Sequence, residues 1–177
     1  MRRCCFPAML FPVIKNHSES APDVARTLEA AEQVGRSETS IDSLAGGLAD
    51  PDAAVRFWAA TGLAARGREA APARDALHDA LDDPAPNVRF AAAESLCKVA
   101  GNRDKAIEVL SRGLQDESPV VRLYAAITLV AVGQAGRPAI EQMQRTMASE
   151  ANEGTYPLYI RWALKYALEN LHKQSSP

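Results

Sequence analysis

Three features of the sequence predict an all-α fold, an α-solenoid of stacked antiparallel helix pairs. A row of residues returns at a fixed interval of 33: Asp50, Val55, Arg56 and Leu63 come back as Asp83, Val88, Arg89 and Leu96, then as Asp116, Val121, Arg122 and Leu129. Self-similarity at a period of about 20–50 residues marks stacked repeats, in which one supersecondary unit cannot bury its apolar face alone. Leucine pairs four apart, Leu44/Leu48, Leu77/Leu81 and Leu110/Leu114, precede each row and fall on one helix face. The composition agrees: of 177 residues 47% are hydrophobic, mostly Ala and Leu, and only 6% aromatic, a balance suited to closely packed helices rather than to sheets.

The chain starts with a leader, residues 1–20. Met1-Arg2-Arg3 followed by an apolar stretch from Cys4 to Ile14 has the outline of a short export signal, interrupted by Pro7 and Pro12 and offering Ser18-Glu19-Ser20 for cleavage; a disordered or loosely docked leader is the competing expectation. Residues 21–35 predict an N-terminal capping helix, opened by Ser20, Pro22 and Asp23 and stopped at Gly35, with Val24, Leu28, Ala31 and Val34 as its apolar positions. The repeat region, 40–171, divides at about 40–67, 70–101, 104–133 and 137–171.

In each unit the leucine pair marks the first helix. A polar break follows: Asp50-Pro51-Asp52, Asp82-Asp83-Pro84-Ala85-Pro86 and Asp116-Glu117-Ser118-Pro119 combine helix-capping residues with a proline near the next helix start. The second helix begins at Val55, Val88 or Val121. At about 100° per residue, Ala59 and Leu63, Ala92 and Leu96, and Ala125 and Leu129 share a sector with those valines and face the core. Gly67, Gly101 and Gly133 supply the terminating residue. The fourth unit is weaker: Pro138 to Met147 forms its first helix and Ile160 to Leu168 its second. The interval from Arg122 to Arg161 is 39, so six residues are added around Ala148 to Pro157, a longer loop closed by Tyr156-Pro157. Residues 172–177 are expected to fray.

Two rows lie outside the core sector. Asp50, Asp83 and Asp116 stand six residues before Arg56, Arg89 and Arg122, a structural ladder in which the carboxylate caps backbone N–H groups and the guanidinium bonds to it or to the next turn. On this basis Arg89→Ala lowers thermal stability. One residue past each arginine, Phe57, Phe90 and Leu123 lie at about 200°, nearly opposite the core, joined one turn on by Thr61, Glu94 and Ile127. Stacked, they form a ridge on the inner surface where a protein partner would bind. Trp58, Tyr124 and Trp162, assigned to about 300°, are expected to fill the groove between successive repeats.

The pattern Leu-x3-Leu, Asp-Pro, Val-Arg, Ala-Ala and Leu resembles the HEAT-like repeats of bacteria, including the short form of phycobilin lyase relatives, over about Leu44 to Leu171. That resemblance implies a scaffold for protein interaction. The run from Asp50 to Leu63, preceded by Ala30-Ala31, is also similar to the HEAT-bearing C-terminal tail of certain bacterial sulfatases, which implies a detached accessory region of a sulfatase-like hydrolase. Of the sulfatase signature Cys-x-Pro-Ser-Arg, the segment Cys5-Phe6-Pro7-Ala8-Met9 keeps the Cys and Pro and lacks the Ser and Arg.

No catalytic, cofactor or metal site is expected. His17, His78 and His172 are scattered, Cys4-Cys5 has no second dithiol, and the His-Glu dipeptides of HEAT-like iron hydroxylases are missing, His78-Asp79 being the nearest approach. Gly46-Gly47 fits no phosphate-binding loop. A net charge of −2 gives no general field for nucleic acid. No membrane span is expected, since the sequence shows no run of the roughly 18–20 apolar residues a crossing takes. Three cysteines without a disulfide framework permit a reducing compartment, and the cytoplasm is favoured, with the periplasm or exterior expected if the leader is a signal or the resemblance to sulfatase tails holds.

Overall fold

The computed structural model describes residues 24–36, 39–99, 101, 103–149 and 155–173; the leader and its signal-like outline lie outside them. Among the described residues all regular structure is helical: α1 Val24–Gly35, α2 Ile41–Gly47, α3 Ala53–Arg66, α4 Arg74–Asp79, α5 Pro86–Lys98, α6 Asp104–Gly113, α7 Pro119–Val132, α8 Ile140–Ser149 and α9 Thr155–Lys173. Tighter 3₁₀ segments, Gly67–Ala73 and Gly133–Ala139, lead into α4 and α8, and a third, Ala80–Asp82, ends α4.

The helices make two layers. In one, α1 packs on α3, α3 on α5, α5 on α7 and α7 on α9; in the other, α2, α4, α6 and α8 each lie against the second helix of their own pair. The array is an α-solenoid, each pair burying what its neighbour leaves open. The first-helix leucines Leu44, Leu77 and Leu110 and the second-helix leucines Leu63, Leu96 and Leu129 are buried in one continuous core. Met143, 33 residues past Leu110, takes the same place in the fourth pair and is fully buried.

Local chemistry sets the helix ends. The Ser40 hydroxyl accepts from Ser43 N–H at 3.1 Å and the Asp52 carboxylate from Ala54 N–H at 2.8 Å, capping α2 and α3. Pro86 and Pro119 open α5 and α7, where a missing N–H costs nothing. Gly67 and Gly133 end α3 and α7 at φ +57° and +55°, a backbone that side chains with a Cβ rarely adopt.

Several expectations are corrected. In α1, Val34 approaches α3 near Gly62, whereas Val24 and Leu28 are 65% and 60% exposed, because α1 meets α3 along one flank only. Helix α9 starts at Thr155 and continues through His172 and Lys173, so the longer connection is shorter than 148–157 and the tail does not fray at 172. The stretch Pro119–Ser149 does carry an 18-residue window of mean hydropathy 1.3, enough by length and composition for a membrane crossing. It is interrupted at Gly133 and by the 3₁₀ segment after it, and Val121, Ala125, Ala126 and Leu129 are packed into the array; its apolarity is that of a core helix.

One buried group opposes this packing. Ser95, fully buried in α5, has an Oγ without a hydrogen-bond partner, while its counterpart 33 residues on, Thr128, donates to Tyr124 C=O at 2.9 Å. A buried orphan hydroxyl costs about 1–3 kcal/mol. Ser95→Ala is therefore expected to stabilise the protein by about 1 kcal/mol, raising the thermal midpoint by roughly 2–4 °C in a chain of this length. A fall in the midpoint by differential scanning calorimetry would contradict this.

Candidate interaction surface

The aspartates and arginines of the ladder build the turn ends of the repeats. Each aspartate closes a small turn: Asp50, Asp83 and Asp116 accept from the N–H groups of Asp52, Ala85 and Ser118 at 2.8, 2.9 and 2.9 Å. Each arginine folds back onto that turn's carbonyls. Arg56 Nη1 donates to Asp50 and Pro51 C=O, Arg89 Nη1 to Asp83 and Pro84 C=O, and Arg122 Nη1 to Asp116 and Glu117 C=O, at 2.8–3.1 Å. Arg161, beyond the added residues, reaches Met147 C=O at 2.9 Å.

The guanidinium therefore meets the backbone of its own repeat's aspartate, not the carboxylate six residues earlier. A rung between described residues crosses from the first repeat to the second: Arg56 Nε and Nη2 pair with Asp83 Oδ2 and Oδ1 at 2.7 and 3.1 Å, both side chains being nearly inaccessible. Arg89 and Asp116 form no such ion pair. Asp50 is paired instead with Arg26 of α1, which ties the first helix to the array.

The ridge divides. Phe90 is only 3% exposed, and a Cβ placed on Gly113 of α6 would lie 2.5 Å from its ring and 2.9 Å from Ala125 Cβ. It is a knob between α5 and the next pair, not a surface residue, so it leaves the partner-binding row. Phe57, in edge contact with Trp58 at 5.3 Å between centroids, and Leu123 are half-buried against the core. A wheel drawn for one isolated helix omits the neighbours on both sides of α5, and only a narrow arc stays open. In that arc Thr61 and Glu94 are themselves half-buried and Ile127 is exposed. Glu94 pairs with Lys98 at 2.6 Å, and Ile127 is 47% exposed.

Trp162 is also corrected. It directly follows Arg161, so it occupies the place of Phe57, Phe90 and Leu123, not that of Trp58 and Tyr124, and it is 61% exposed where no described repeat follows α9. Tyr166 stands in the row of Thr61, Glu94 and Ile127; it too is exposed. Counting from Arg161 rather than from the shifted interval would have found both. For Phe90, the glycine at 113 was the available sign that a ring packs closely against α6.

The described residues offer little reactive chemistry. They contain no group of three or more His, Cys, Asp or Glu placed to hold a metal ion. Burial pushes the Cys97 thiol up to about 11, which keeps it protonated and unreactive at neutral pH. Asp82 is held below the usual carboxylate range by the ammonium of Lys105, 2.8 Å away on the surface, an ordinary exposed pair.

No curated protein matches the chain. The family of HEAT repeats matches it three times in overlapping frames, at residues 10–97, 41–129 and 74–155. The second and third frames open on the first residues of α2 and α4, the first helices of successive pairs, so the family's period and the structural repeat coincide. With these matches spanning most of its length, the protein belongs to the HEAT-repeat family.

Proposed function

We propose that this protein is a non-catalytic scaffold that binds a protein partner on its second-helix face, along Thr61, Glu94 and Ile127 with Phe57 and Leu123 at the edge. The observation that carries this is one recurring position on three successive second helices: Thr61 and Glu94 are partly exposed there, and at α7 it presents an apolar side chain, Ile127, 47% exposed. A row of accessible positions at regular stacking distance matches an extended partner better than a small ligand.

Affinity capture from the lysate of the source cells tests it. The wild-type chain is expected to retain one specific protein, and Ile127→Asp combined with Glu94→Arg to reduce that capture at least about tenfold, with an unchanged thermal midpoint. Equal capture by the variant would overturn the assignment of this face. The similarity of Asp50–Leu63 to sulfatase tails supports a second reading, a detached accessory region, in which the partner is a separately encoded sulfatase-like domain.

A further inference from the structure

The exposed side of α9 has a second regularity. Thr155, Tyr159, Trp162, Tyr166, Glu169 and Lys173 alternate at intervals of four and three residues, the a/d spacing of a seam between two helices. All the rings are accessible: Trp162 at 61%, Tyr159 and Tyr166 at about half. Tyr159 and Trp162 already meet edge to face at 5.9 Å. The buried side of the same helix, Ile160, Leu164, Ala167, Leu168 and Leu171, packs into the array, so α9 is apolar on two opposite faces of which one is covered.

From this seam we propose that two copies of the chain associate through α9, antiparallel about a twofold axis at the level of Leu164. In that register Trp162 of each copy lies opposite Tyr166 of the other, giving two central aromatic layers. Tyr159 lies opposite Glu169 of the second copy, its hydroxyl donating to the carboxylate, and Lys173 lies opposite Thr155.

Charge decides the direction. A parallel pair would oppose Glu169 to Glu169 and Lys173 to Lys173, whereas the antiparallel pair opposes no like charges in the seam. Glu169 is held 4.0 Å from Lys165 on its own helix, so the rim carries both signs and does not repel itself.

The area places this contact among weak interfaces. Three half-exposed rings with their neighbouring stems offer about 500 Å² per copy, or roughly 1,000 Å² in all, the lower limit for a specific interface. An interface at that limit is expected to form a reversible dimer, populated in the micromolar range. It occupies the α9 end and leaves Thr61, Glu94 and Ile127 on α3, α5 and α7 accessible, so the association and the partner face fail or hold separately.

Sedimentation equilibrium of the full chain across the micromolar range is the test. The wild type is expected to pass from monomer to dimer. Trp162→Glu should weaken the dimer at least about tenfold, and Tyr159→Arg, which sets a guanidinium against Glu169 of the second copy, should tighten it about threefold. Both sites are exposed, so the circular-dichroism midpoint stays unchanged in each variant. A wild type monomeric throughout, a dimer indifferent to Trp162→Glu, larger assemblies in place of a dimer, or a Tyr159→Arg chain weakened like Trp162→Glu would each overturn the proposal.

Discussion

Phe90→Ala is expected to destabilise the protein by about 3–5 kcal/mol, the usual cost of removing a fully buried ring whose surroundings collapse only in part. Phe90 fills its site closely: a Cβ at Gly113 would sit 2.5 Å from its ring and 2.9 Å from Ala125 Cβ. The loss should appear as a large fall in the urea midpoint without a change in the denaturant slope, because the exposed area on unfolding is nearly the same. Phe90→Leu, which keeps most of the apolar volume, should cost less than half as much. A charged substitution here would abolish partner capture by unfolding a repeat, which is why the binding test is placed on Ile127.

The second large effect is at Arg56. Its guanidinium is 8% exposed as a residue and satisfies three groups at once: two turn carbonyls of its own repeat and the Asp83 carboxylate of the next. Arg56→Ala leaves Asp83 charged, enclosed and short of its main partner, and is expected to cost about 3–5 kcal/mol. Arg89→Ala removes carbonyl bonds alone at a half-buried site and should cost about 1–2 kcal/mol. Equilibrium denaturation of the two variants side by side checks the order. Equal losses would show that the rung between repeats adds nothing to the turn.

Much of the fold was legible because it is written in period and spacing. The interval from Leu63 to Leu96 to Leu129 states that one helix position recurs, and a recurring buried leucine requires a stack. The breaks at Asp-Pro and at Gly67 and Gly133 were legible for the same reason, since they rest on local backbone chemistry. The surface was less legible. Which arc of a second helix stays open depends on three neighbours, and the wheel of α5 alone places Phe90 outside although α6 and α7 close over it. Trp162 was placed with Trp58 and Tyr124 although it directly follows Arg161, as Phe57 follows Arg56, and that placement hid the aromatic seam. The ladder was half legible: spacing placed Asp83 and Arg89 at one turn, but that Arg56 and not Arg89 pairs across repeats follows from side-chain reach in three dimensions.

The central claim is that the second repeat is locked to the third by Phe90, the residue just past the recurring arginine, set into a socket at Gly113 of the following pair. A double-mutant cycle between Phe90→Leu and Gly113→Ala measures it directly. In the wild type, Gly113→Ala forces a methyl group against the ring and should be destabilising by about 1–3 kcal/mol, despite the better helix propensity of alanine. With leucine at position 90 the clash with the ring is relieved while the 2.9 Å approach to Ala125 Cβ remains, so the same change should cost less, giving a coupling of at least about 1 kcal/mol. Losses that simply add, or a Gly113→Ala chain more stable than the wild type, would contradict the account.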